Sequence, residues 1–178
     1  VFSPFDLETI AQLASWFQAT NVTAIVRIHK SFAHLIPGIL DQGIMGIQVS
    51  EVETAQEARA IVRLAKYPPI GNRGISGQGP HTGYKSYGAR HATEYAPWAN
   101  QNIILCPSIE SLEGLENVEA IAAVNPQLCV LHCTASYPAE VEDLNLGVIA
   151  VLKERYPDFV VGLSDHHNGI AMAPVAFM

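Results

Sequence analysis

Short apolar runs rich in β-branched residues recur along this chain, each separated from the next by a longer stretch with helical spacing. That alternation is the strongest constraint on the fold, because parallel strands need a crossover and a helix supplies it. About five runs meet the strand pattern: Val22–Ile28, Ile44–Val49, Asn102–Cys106, Leu128–Cys133 and Phe159–Leu163. Helices are expected over Asp6–Phe17, Thr54–Lys66, Leu112–Val124 and Leu146–Tyr156, with a last one from about Gly169. Thr54 followed by Glu57 reads as a capping box, and Ser3-Pro4 as an N-cap with proline at the first helical position.

The fold class expected from this pattern is α/β: a parallel (β/α) barrel of TIM type in a single domain, residues 1–178. It is expected to be incomplete, because about five βα units do not close an eight-stranded barrel. The start at Val1 and the stop at Phe177-Met178, inside an apolar helical pattern, read as a fragment. Open parallel edges invite pairing, so a homo-oligomer is expected. With 49% hydrophobic and 15% charged residues the chain can bury a core. A net charge of -7 leaves no basic patch for nucleic acid or an anionic membrane. No apolar run reaches the roughly 20 residues of a spanning helix. Three cysteines in apolar runs suggest reduced thiols and a cytoplasmic location.

In a parallel barrel the loops after the strands' carboxyl ends build the active site. Glu110 follows the run Ile103–Ile109 and suits a divalent metal, Mg²⁺ or Mn²⁺; it equally suits the dipole of the helix that follows. Arg27 sits late in an apolar strand, where its planar fork would serve a carboxylate or an enolate, or a structural ion pair. The connection Tyr67–Trp98, about 30 residues, is far longer than the usual 2–6. Within it Gly71–Pro80, including Arg73 and Gly74, offers backbone N–H groups to an anion but matches no phosphate-binding motif, and a mobile loop is the better reading. Ser164-Asp165-His166-His167 directly follows a strand; Ser164 suits phosphate and His166 a metal, with a helix cap and a buried imidazole as the alternatives. Alternation puts His132 and Thr134 on one face and Cys133 on the other. Cys133 is not expected to be a nucleophile, since the sequence offers it no histidine partner.

Over about residues 2–125 the chain resembles the HpcH/HpaI family of metal-dependent class II aldolases. The motifs are Ser3-Pro4-Phe5-Asp6-Leu7-Glu8, Ile25-Val26-Arg27-Ile28, Asp41-Gln42-Gly43-Ile44, Val52-Glu53-Thr54-Ala55, Tyr67-Pro68-Pro69-Ile70-Gly71-Asn72-Arg73-Gly74 and Ile109-Glu110-Ser111-Leu112-Glu113-Gly114. The resemblance implies a carbon–carbon lyase acting on 2-keto acids through a pyruvate enolate, with Arg27 binding the keto acid and Glu110 ligating the metal. Over about residues 127–178 it resembles the NeuB family of sialic acid synthases, on Leu131-His132-Cys133-Thr134, Tyr137-Pro138, Glu142-Asp143-Leu144-Asn145-Leu146 and Val161-Gly162-Leu163-Ser164-Asp165-His166. That implies phosphoenolpyruvate as substrate, Ser164 contacting it and His166 ligating a metal.

Both patterns are broken. Phe2 stands where the aldolases carry a catalytic histidine, and Ser50-Glu51 where they carry Pro-His. Their second metal carboxylate, in Gly-Pro-x-Asp, has no counterpart near His132. On the synthase side Ala135 replaces a substrate-binding Asn, and the second metal histidine would fall beyond Met178. The implied enzyme is an impaired aldolase, alternatively a phosphoenolpyruvate-dependent sugar-acid synthase, alternatively a non-catalytic barrel fragment or chimera. Its aldolase-like part would be residues 1–125 and its synthase-like part residues 126–178.

Overall fold

The computed structural model describes residues 6–20, 22–125 and 129–176, with the backbone alone for Ala173. The chain divides into two compact units, Val1–Val124 and Asn125–Met178. All five expected strands are present with shifted ends, and every pairing among them is parallel.

In the first unit β1 (Ile25–His29), β2 (Gly46–Ser50) and β3 (Ile104–Pro107) form one sheet in the order β1-β2-β3. Arg27 pairs with Gln48, and Gln48 with Cys106. The central strand is apolar at Ile47 and Val49, which share one face of the sheet and are both fully buried. Helix α1 (Leu7–Gln18) starts on Asp6, whose carboxylate accepts from the Thr9 N–H at 2.8 Å. The N-cap is therefore Asp6; Ser3 and Pro4, expected in that role, lie outside the described residues. Helix α2 (Ile36–Asp41), led in by a 3₁₀ turn at Lys30–Leu35, was not expected, although Pro37 sits in its first turn. Helix α3 (Ala55–Ala65) has the expected capping box between Thr54 and Glu57.

Helix α4 (Tyr95–Asn102) occupies what the sequence presents as the end of a loop and the start of a strand. The single helix expected over Leu112–Val124 is two, α5 (Leu112–Glu116) and α6 (Val118–Ala122). The break falls at Asn117, a poor helix former whose side-chain N–H reaches the Glu53 carbonyl at 3.0 Å instead.

The long connection is packed. Two 3₁₀ turns, Pro80–Thr82 and Gly88–His91, fold it back on itself. Tyr67, His81, His91 and Tyr95 are buried there, with the His91 and Tyr95 rings 4.9 Å apart. Its first turn demands glycine at Gly71, where an added Cβ would lie 2.2 Å from the Lys66 carbonyl oxygen.

The second unit holds β4 (Cys129–Cys133) and β5 (Val160–Ser164), paired with Cys133 opposite Ser164. Helix α7 (Gly147–Arg155) connects them, and α8 (Met172–Ala176) follows β5. Among the described residues no helix is long and apolar enough to cross a membrane.

Candidate functional site

The carboxyl ends of β1, β2 and β3 carry Arg27, His29, Glu51 and Glu110. Because β1 and β3 flank the same central strand, Arg27 and Glu110 meet across it: a guanidinium N–H donates to Glu110 Oε1 at 2.9 Å. Both side chains remain 38% exposed. The other oxygen, Oε2, accepts from the backbone N–H of Glu51 at 2.9 Å. Glu51 holds φ at 58°, in the left-handed region that disfavours a residue with a Cβ. That conformation turns its N–H toward Glu110 while its carboxylate takes a bond from His29 Nε2 at 3.2 Å.

Lys30, next in the chain, ion-pairs with Glu53 and with Glu57, the latter at 3.1 Å. The short bond to Glu53 is the main cause raising its ammonium pKa. Gln48 points along the same rim, donating to Ser108 Oγ at 3.2 Å.

The metal implied by the aldolase resemblance does not fit these donors as they stand. Both oxygens of Glu110 are engaged, one by a cation, and the carboxylate of Glu51 is paired with His29. Among the described residues no group of three His, Cys, Asp or Glu side chains is placed to hold a metal ion.

The other two candidates of this unit lie elsewhere. Arg73 is 1% exposed, donates to Asp41 Oδ1 at 2.6 Å and stacks on the Tyr67 ring at 4.8 Å. Its guanidinium thus anchors the long connection to α2 and the aromatic cluster. Gly74 is exposed, and an added Cβ would meet nothing within 4 Å. In the same connection a cleft of about 490 Å³ is lined by His81, Tyr87, Tyr95 and Trp98 together with Lys85 and Glu94.

Sequence reasoning passed over Lys66. Its buried ammonium donates to the Asn100 and Ile103 carbonyls at 2.7 and 2.6 Å, and burial pushes its pKa down to about 8. Ile103 immediately precedes β3, so this lysine serves the end of the sheet opposite Arg27.

In the second unit each histidine is tied to a backbone carbonyl. His132 Nε2 donates to Leu144 O at 2.7 Å, His167 Nδ1 to Ala139 O at 3.1 Å, and His166 Nδ1 to Thr134 O at 2.8 Å. The last bond fixes the neutral ring of His166 as the Nδ1–H tautomer and leaves the lone pair on Nε2, the arrangement a metal-binding imidazole uses. The ring also lies against Tyr137, with centroids 4.2 Å apart. Ser164 ends β5 half-buried, and Asp165 accepts from the His167 N–H at 2.9 Å, capping the turn. As alternation requires, His132 and Thr134 are half-buried and Cys133 is exposed. The expectation that Cys133 lacks a histidine neighbour is corrected: its Sγ lies 4.0 Å from His166 Nδ1, because the parallel register sets Cys133 beside Ser164 and the turn after β5 carries His166 back over it.

Comparison with known proteins finds two kinds of relative. The NeuB family model matches residues 92–178. The chain is 36% identical over 118 residues to 4-hydroxy-2-oxovalerate aldolase of Novosphingobium aromaticivorans, covering 65% of this chain and 42% of the relative. It is 33% identical over 75 residues to human N-acetylneuraminate-9-phosphate synthase, covering 42% of this chain and 21% of that protein. The chain thus spans less than half the length of these curated relatives. The crystal structure of an HpcH/HpaI aldolase from Desulfitobacterium hafniense superposes with a TM-score of 0.68 at 24% identity, over 90% of this chain and 64% of that one. That likeness establishes the fold, an incomplete parallel (β/α) barrel of TIM type. The chain is a composite, similar to HpcH/HpaI-type aldolases in its first part and to NeuB-family synthases in its last.

Proposed function

We propose that the β1–β3 rim acts on a small 2-keto acid as a carbon–carbon lyase of the aldolase type, through a pyruvate enolate. The observation that carries this reading is the partly exposed Arg27–Glu110 pair, 2.9 Å apart, reaching across β2 from β1 and from the segment after β3. A guanidinium held there offers a two-pronged N–H fork to a keto-acid carboxylate and to the oxygen that gains charge in the enolate. Glu110 orients the fork, and the Glu51 N–H orients Glu110. The chain's sequence likeness to 4-hydroxy-2-oxovalerate aldolase supports the same substrate class.

A divalent cation, Mg²⁺ or Mn²⁺, belongs to the proposal with Glu110 as its carboxylate ligand. Binding it would require Glu110 to release Arg27. Arg73 and Gly74 enter as the base of the substrate loop, Arg73 holding it through Asp41. The protein is proposed to be cytoplasmic and homo-oligomeric.

A second reading, a phosphoenolpyruvate-dependent sugar-acid synthase, draws on one specific observation: the Nε2 lone pair that Thr134 leaves on His166, beside Ser164. The NeuB match over residues 92–178 favours it for that unit. The aldolase reading is preferred because its charged groups already face one another.

The test is proton NMR of pyruvate in D₂O with purified protein, with and without Mg²⁺, following loss of the methyl signal. Exchange that falls at least 100-fold in Arg27→Met supports an enolate-forming site, with Glu110→Gln expected to follow. No exchange by folded wild-type protein removes the lyase reading.

A further inference from the structure

We infer that Ser31, His29 and Glu51 form a proton relay that takes up the substrate's hydroxyl proton during carbon–carbon cleavage. The inference rests on the lyase reading above and deepens it, naming groups for a proton that Arg27 and Glu110 cannot carry.

The geometry fixes the direction of every bond. The backbone N–H of Ser31 donates to His29 Nδ1 at 3.2 Å, so Nδ1 holds the lone pair and the ring proton is on Nε2. The Ser31 hydroxyl, 2.8 Å from Nδ1, is therefore a donor to it. On the far side the Nε2–H donates to the Glu51 carboxylate at 3.2 Å. A hydroxyl, a neutral imidazole and a carboxylate thus stand in line, the order in which a side-chain hydroxyl is relieved of its proton and the resulting imidazolium is held by a carboxylate. His29 and Glu51 are 41% and 58% exposed, and Ser31 is exposed, so the open end of the line faces solvent.

The relay is also wired to the enolate site. Glu51 contributes its carboxylate to His29 and its backbone N–H to Glu110, and the left-handed φ of 58° is what lets one residue face both. A non-glycine residue in that region is a strained choice, and here the strain joins two polar constellations. His29 also caps the 3₁₀ turn at Lys30–Leu35 through the same Nδ1, so taking up the proton there releases the Ser31 N–H. The cap leaves the Nε2–Glu51 contact unexplained.

Cleavage of a 4-hydroxy-2-keto acid balances as follows. The C4 hydroxyl gives its proton to Ser31 Oγ while the Ser31 proton passes to His29 Nδ1, making an imidazolium. The C4 oxygen's electrons form the aldehyde C=O, the C3–C4 bond breaks, and its pair forms C2=C3. The C2 carbonyl electrons move onto oxygen, giving an enolate beside Arg27. One positive charge appears on His29 and one negative charge on the enolate. Ser31 and His29 are catalytic residues in this scheme, and Glu51 is a positioning residue.

The experiment compares two readouts on the same protein: pyruvate released from 4-hydroxy-2-oxovalerate, and deuterium exchange of the pyruvate methyl group. Arg27→Met should depress both. Ser31→Ala, His29→Gln and Glu51→Gln should lower the ratio of cleavage to exchange about 100-fold, within the range for loss of a general acid–base group. For Glu51→Gln the loss should appear in kcat with KM held within about threefold. Variants that exchange pyruvate and cleave in the wild-type ratio overturn the relay and leave the lyase reading standing. Wild-type protein that does neither overturns both. Independently of activity, long-range ¹H–¹⁵N correlation on ¹⁵N-histidine-labelled protein should show His29 as the Nε2–H tautomer, with its Nε2 signal displaced in Glu51→Gln. A His29 ring protonated on Nδ1 overturns the relay.

Discussion

The two units solve the same problem, holding polar groups at the ends of parallel strands, with different materials. In the first, eighteen buried hydrophobic residues among those described form one cluster, and charges at the rim are matched by charges: Arg27 with Glu110, Lys30 with Glu53 and Glu57. In the second, the buried hydrophobic residues among those described are Ala139, Leu144 and Ile149, and the polar groups are imidazoles pinned to carbonyls. A rim of matched charges needs a stiff sheet beneath it, because the pairing fails if strand ends drift by an ångström. A rim of imidazoles bonded to carbonyls is held locally, by the same loops that carry the rings. The first unit therefore draws its order from its interior and the second from its hydrogen bonds.

The sharpest way to break that contrast is to truncate one strand side chain in each unit. Ile47→Ala, at a fully buried site on β2, is expected to destabilise by about 4 kcal/mol in urea denaturation. Val160→Ala, on a strand residue 69% exposed, should fall within about 0.5 kcal/mol of wild type. Equal losses would mean that β4 and β5 depend on side-chain packing as much as β2 does.

Next in size is the pH dependence that Lys66 confers on the first unit. Its ammonium has a folded pKa of about 8 against 10.5 for an ordinary lysine. Below pH 8 both states hold the proton and the burial penalty is felt in full. Between 8 and 10.5 the unfolded chain keeps a proton that the folded chain has released, so stability rises with pH, by up to about 3 kcal/mol. Thermal denaturation across that window should show the rise in wild type and its loss in Lys66→Met. A flat wild-type profile would show the carbonyls of Asn100 and Ile103 stabilising the charged form fully.

These expectations turn on residues that the sequence revealed unevenly. The five strands were legible because β-branched runs are read locally, and so was the box from Thr54 to Glu57, which spans four residues. Helix α2 was not, since Ile36–Asp41 is too short to show a period and its 3₁₀ lead-in has no pattern of its own. The long connection looked like an open loop because glycine, proline and histidine mark turns; what packs it is a set of ring contacts among residues 67, 81, 91 and 95, and no periodicity announces those. Arg27 and Glu110 could be named from strand ends alone. The His29–Glu51 contact could not, being 22 residues apart and made possible by a backbone angle that glutamate seldom adopts.

A smaller effect sharpens the account of the second unit. His132→Ala removes the donor to Leu144 O, leaving the carbonyl of that buried residue the longer contact from Thr134 at 3.5 Å. A loss of about 1–2 kcal/mol is expected. It should speed hydrogen exchange in β4 and β5 and leave β1–β3 unchanged. Acceleration in all five strands would show one cooperative body in place of two materials.

The smallest expected effect concerns how helices begin. Helix α3 starts on a reciprocal box in which Thr54 Oγ1 accepts from the Glu57 N–H at 3.2 Å and Glu57 Oε2 accepts from the Thr54 N–H at 3.1 Å. Helix α7 starts on Leu146, which has no side-chain cap. Thr54→Ala should cost about 1 kcal/mol. The loss is bounded because Glu57 keeps its bond to the Glu53 N–H and its pairing with Lys30. Since Glu57 thereby joins the helix start to the charged rim, the same substitution should raise exchange at the first turn of α3 toward the rate at the first turn of α7. If α3 still exchanges slowly, the Lys30 pairing alone fixes that turn, and the order of the first unit reaches its rim through charge more than through capping.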